Sequence, residues 1–103
     1  MSKVEYNPEE TREIDVFGEK HVIKSMCGMD YMDLIGKCSD LQGKIDRRKY
    51  TQLLFRQCIV SPKRDPSKYS APAALLLFSE IENMLGVAEL MQKNLLKIPG
   101  AKE

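Results

Sequence analysis

Apolar and polar positions alternate over residues 11–16, with Ile14 and Val16 on one side and Glu13 and Asp15 on the other. After Phe17-Gly18-Glu19-Lys20 comes a second β-prone run, His21-Val22-Ile23-Lys24-Ser25. Period two on both sides of a glycine turn predicts a β-hairpin, and a lone hairpin is marginal in water, so its apolar side must pack on later parts of the chain. From Tyr31 the period becomes helical. Tyr31, Leu34, Ile35, Cys38 and Leu41 make one stripe that Gly43 ends, and Cys27 with Asp30 stands where a capping pair belongs. Asp46 caps the next helix, with Ile45 placed to staple onto Tyr50 and Tyr50, Leu53, Leu54, Gln57 and Cys58 facing inward. Ile59-Val60 closes that helix before Ser61-Pro62 stops it. Residues 61–70, with two prolines and four charges, read as a surface loop. Ser70 then caps a third helix carrying Ala74, Leu75, Leu77, Phe78, Ile81, Met84 and Leu85, which Gly86 either kinks or breaks. A last helical segment over 87–96 presents Val87, Leu90, Met91 and Leu95. The expected fold is mainly α: a small N-terminal β-hairpin followed by three to four helices in one compact domain over 11–98. A flexible acidic arm (1–10) precedes it and a short tail (99–103) comes after it.

With 103 residues the chain has room for one core and none for a deep cleft. Apolar residues at 43% and charged residues at 30% are a folded-protein balance. No apolar run approaches the roughly 20 residues that span a bilayer, and the N-terminal residues lack the apolar stretch of a signal peptide, so a soluble cytosolic chain is expected. Three cysteines and one histidine supply four zinc-type ligands, but Cys27, Cys38, Cys58 and His21 include no close pair. Cys38 and Cys58 fall on apolar helix faces and read as core side chains. No phosphate-binding glycine loop, nucleophile elbow or tuned carboxylate pair is present. No catalytic residue, cofactor or metal is therefore expected, and the chain reads as a non-enzyme.

Charge is uneven. Residues 1–20 carry a net −3 and residues 44–68 a net +6, while the whole chain stands at +1. Arg47, Arg48, Lys49, Lys63 and Arg64 are the candidate contacts for a polyanion. A solvated face is the plainer account, because no reading helix or stacking platform accompanies the charge and the net charge is near zero.

The order of parts resembles a known family. A hairpin leads through Val22-Ile23-Lys24-Ser25-Met26 into the first helix, a second helix leaves through Cys58-Ile59-Val60-Ser61-Pro62, and an apolar helix ends in Ile81-Glu82-Asn83-Met84-Leu85-Gly86. Over about residues 11–96 this is similar to the tail assembly chaperones of long-tailed bacteriophages and prophages, Gram-positive prophages among them. The resemblance implies a protein that binds the tape measure protein, keeps it soluble in the host bacterial cytoplasm, promotes assembly of tail-tube protein around it, and is absent from the mature virion.

The residue chemistry suits such a client. Exposed, unbranched, polarizable methionine accepts many helix faces, and the chain has six. The C-terminal helical part has more apolar girth than one core face needs. Leu76, Met84, Leu90, Met91 and Leu95 are thus the candidate partner contacts, for a client or for a homo-oligomer. Two other readings predict different partners: a small nucleic-acid-binding regulator using the basic 44–68 segment, and a structural head–tail joining protein found in virions.

Overall fold

The computed structural model describes residues 4–87. Thr11–Val16 (β1) and Glu19–Lys24 (β2) form the antiparallel hairpin, with Ile14 opposite His21 and Val16 opposite Glu19. Its turn is the two residues Phe17 and Gly18, both at positive φ, 51° and 90°. This is the left-handed geometry that a two-residue type I′ turn requires. Glycine adopts it freely, whereas the Cβ of Phe17 meets a steric cost of roughly 1–2 kcal/mol there.

Gly28–Lys37 (α1) starts at Cys27, whose Sγ accepts the Asp30 N–H at 3.4 Å. Tyr31, Leu34 and Cys38 are buried and Ile35 half-buried, as the stripe predicts. Leu41 is a correction, because the helix ends at Lys37 and Leu41 is fully exposed. A tight loop replaces the next turn. The Asp40 carboxylate accepts the N–H groups of Gln42 (2.9 Å) and Lys44 (2.8 Å), and Ser39 bridges to Ile45. A short aspartate competing for nearby backbone donors ends a helix that apolar periodicity alone would continue.

Arg47–Cys58 (α2) is capped by Asp46, which accepts from Arg48 and Lys49 backbone N–H groups. It buries Tyr50, Leu54, Phe55 and Cys58. Here the mainly α expectation fails. Ile59 is already extended (φ −88°, ψ 112°), and Ile59–Ser61 form a third strand, β3, antiparallel to β2. The architecture is α+β: a three-stranded antiparallel sheet in the order β1-β2-β3, packed with three helices. Two β-branched residues ahead of a Ser-Pro pair favour extended backbone, and β2 offers them an edge to pair with. Val22 stands opposite Ser61 and Ile23 opposite Ile59, so Val60 is an extra residue in the ladder, bulged and partly exposed.

A 3-10 turn at Pro66–Lys68 leads to Ala71–Leu85 (α3), capped by Ser70, with Pro72 in the first turn. Gly86, left-handed at φ 74°, terminates it, so the glycine is a true end. Ala73, Leu77 and Ile81 are buried from α3, and Ile23, Leu34, Leu54 and Cys58 join them in the core. Leu75, read as part of the apolar girth, is 70% exposed. Of the segment expected over 87–96, only Val87 is among the described residues. Leu90, Met91 and Leu95 lie outside them.

Candidate functional site

The candidate apolar contacts distribute unevenly. Leu76 and Met84 are half-buried and pack against the core, so neither stands free on α3. Leu75 is the large apolar side chain that α3 does expose, and an exposed apolar pair lies on α1: Met29 (73%) and Met32 (59%), one turn apart, with Leu41 in the loop beyond it. Tyr31, Leu34 and Cys38 hold α1 to the core, which turns Met29 and Met32 outward. Sequence reasoning missed this pair by reading only the inward stripe. The signal was available: both methionines fall off the stripe that contains Tyr31 and Leu34, and an apolar residue off the buried stripe of an amphipathic helix faces solvent.

The basic candidates also divide. Arg47, Arg48 and Lys49 are exposed in the first turn of α2, and Arg56 is exposed on the same helix. Lys63 is exposed and donates Nζ to the Ile59 carbonyl at 3.1 Å. Arg64 is committed internally. Its guanidinium donates to both Glu19 oxygens at 2.8 and 2.7 Å and lies 5.1 Å from the centre of the Tyr69 ring. This bidentate pair holds the Glu19 carboxyl below its ordinary range and the Arg64 guanidinium above its own. The structure therefore brings Lys63 and Arg64 together with Arg56 around a hollow of about 370 Å³, whose other lining residues are Phe55, Ile59, Pro62, Asp65 and Pro66. Asp65 turns its Oδ1 to the Ser67 N–H and hydroxyl, both at 2.9 Å.

Two polar networks run through the interior. His21 is fully buried in β2. Its Nδ1 donates to the Glu19 carbonyl at 3.2 Å, so in the neutral ring Nε2 accepts from the Tyr69 hydroxyl at 3.0 Å. Tyr69 in turn meets Phe55 edge-on. In the second network, Tyr50 donates its hydroxyl to Glu82 Oε2 at 2.8 Å and accepts from Tyr31 at 2.7 Å. Burial pushes the Tyr50 phenol well above its ordinary range, and the Tyr31 and Glu82 contacts add to the shift. Both networks satisfy their own members, as buried polar groups in a structural role do. Among the described residues no group of three or more His, Cys, Asp or Glu side chains is placed to hold a metal ion. Among them, too, no helix is long and apolar enough to cross a membrane.

No protein-family model matches the chain, and neither a curated protein nor a solved structure matches it. What the fold offers a partner is a pair of surfaces: the exposed thioethers on α1, and the basic-rimmed hollow at the end of α2.

Proposed function

We propose that the chain is a non-enzymatic bacteriophage tail assembly chaperone. In this reading it binds the tape measure protein, keeps it soluble in the host bacterial cytoplasm, and promotes assembly of tail-tube protein around it, leaving before the virion is complete. The observation that carries the reading is the outward pair Met29 and Met32, side by side on a helix whose opposite face anchors it to the core. A long helical client presents changing apolar faces, and flexible thioethers adapt to them at low cost. The resemblance over residues 11–96 supplies the particular client.

Co-expression with a tape measure protein is the test. A soluble complex is expected on a sizing column. A Met29→Glu, Met32→Glu double variant, altered only at exposed positions, is expected to leave the client in the pellet. A client that precipitates beside the wild-type chain, or that the double variant holds equally well, sinks the reading.

One observation favours a second reading, a small nucleic-acid-binding protein. Arg48, Lys49 and Arg56 lie on the solvent side of α2 and, among the described residues, form no ion pair. It predicts a salt-dependent shift of DNA or RNA that weakens when Lys49 and Arg56 are replaced by Gln.

A further inference from the structure

The tip of the hairpin presents an exposed ring and acids, and the hollow near it presents apolar walls and cations. Phe17 stands at φ 51° with 69% of its surface exposed. Asparagine or glycine would relax that backbone, and so exposed a ring gains little from packing inside its own molecule. The residue is unfavourable on both counts, which points to a contact outside the chain. Glu13 and Asp15, both exposed, precede it on β1. Glu13 stands 3.8 Å from the equally exposed Lys20, and Asp15 accepts the Gly18 N–H at 3.4 Å and faces no cation within ion-pair distance among the described residues. The hollow offers the reverse. Phe55, Ile59, Pro62 and Pro66 give it apolar walls, and Arg56 and Lys63 give it cations that no carboxylate bonds among the described residues. Its one lining acid, Asp65, bonds to Ser67 and lies within electrostatic reach of Arg56, which leaves Lys63 as the less compensated cation. Phe17 does not enter its own hollow, yet the two lie side by side: Arg64, a lining residue, grips Glu19, two residues beyond Phe17.

We propose that two copies of the chain pair about a two-fold axis, each inserting Phe17 into the other's hollow while Glu13 and Asp15 meet Arg56 and Lys63. A knob and a socket on the same side of the molecule let one two-fold rotation make both contacts at once, so that each tip fills the other's hollow. On opposite sides of the molecule they would instead propagate head to tail. One phenyl ring fits a space of about 370 Å³ with room for the flanking backbone. Two inserted rings bury about 150–250 Å² each, a small interface, so the dimer is a weak one that dissociates on dilution. Met29 and Met32 take no part, and the inference stands apart from the client-binding reading.

Sedimentation equilibrium of the full chain, at concentrations up to about 1 mM, is the test. A two-chain mass is expected at the upper end, falling towards one chain on dilution and on raising the salt. Phe17→Asn suits the left-handed turn, so its melting temperature is expected to hold or rise while association weakens about thirtyfold. Arg56→Glu, at an exposed position in the socket, is expected to weaken association as well. A single-chain mass throughout, a dimer undiminished in both variants, or a mass that grows past two without a plateau overturns the proposal.

Discussion

Cys38 and Cys58 show how burial separates three chemically identical thiols. Both are buried, Cys38 with its Sγ donating to the Leu34 carbonyl at 3.0 Å, and burial pushes the Cys58 thiol up to about 12. Cys27 is half-exposed at the start of α1. Since the thiolate is the reactive form, a disulfide reagent is expected to modify Cys27 in the native protein and all three cysteines only after denaturation. Rapid reaction of Cys58 in the folded chain would contradict its placement. These roles were legible from the sequence, because Cys38 and Cys58 sit at helical spacing with Leu34 and Leu54. Leu41 was not, because its spacing fits the same stripe and only the backbone bonds drawn to Asp40 take it out.

Between elements, Tyr50 is the residue that joins three helices. Its hydroxyl on α2 links Tyr31 on α1 to Glu82 on α3. Tyr50→Phe keeps the ring and its edge-on contacts with Tyr31 and Phe78, and removes only the shared hydroxyl. It is expected to cost about 1–3 kcal/mol, read as a fall of several degrees in thermal melting. The element boundaries with local chemistry were legible: the caps Asp46 and Ser70 and the glycine turn, while Gly86 was legible as an interruption and only its left-handed backbone makes it a stop. The third strand was not. Cys58-Ile59-Val60 is a short apolar run that suits the end of a helix or the start of a strand, and periodicity cannot separate the two. Pairing with Val22 and Ile23, distant in the chain, decides it.

At the scale of the whole molecule, the uneven charge seen along the chain becomes a clasp between its two halves. Glu19 from the acidic end and Arg64 from the basic end form the bidentate pair, and Arg12 on β1 reaches Glu80 on α3 at 3.8 Å. Glu19 titrates below its ordinary value of 4.5, chiefly through the Arg64 hydrogen bonds. Its contribution to stability is therefore complete above that value and is lost as pH falls through the depressed one. Melting temperature against pH is expected to drop more gently on the acid side for Arg64→Gln than for the wild type, and an unchanged acid limb would show the clasp to be idle. Composition and charge runs made Arg64 a candidate partner contact; only the fold shows its fork already occupied. The methionine surface escaped for the opposite reason, since attention to the stripe that builds the core overlooks the side that faces away from it. One last consequence comes from the join at Cys58–Ile59, where α2 becomes β3 with no intervening loop. That seam has no slack. A load applied along α2 must be passed straight to the edge strand β3 and through its ladder to β2, so helix and sheet turn as one lever, and whatever grips one end is felt at the other.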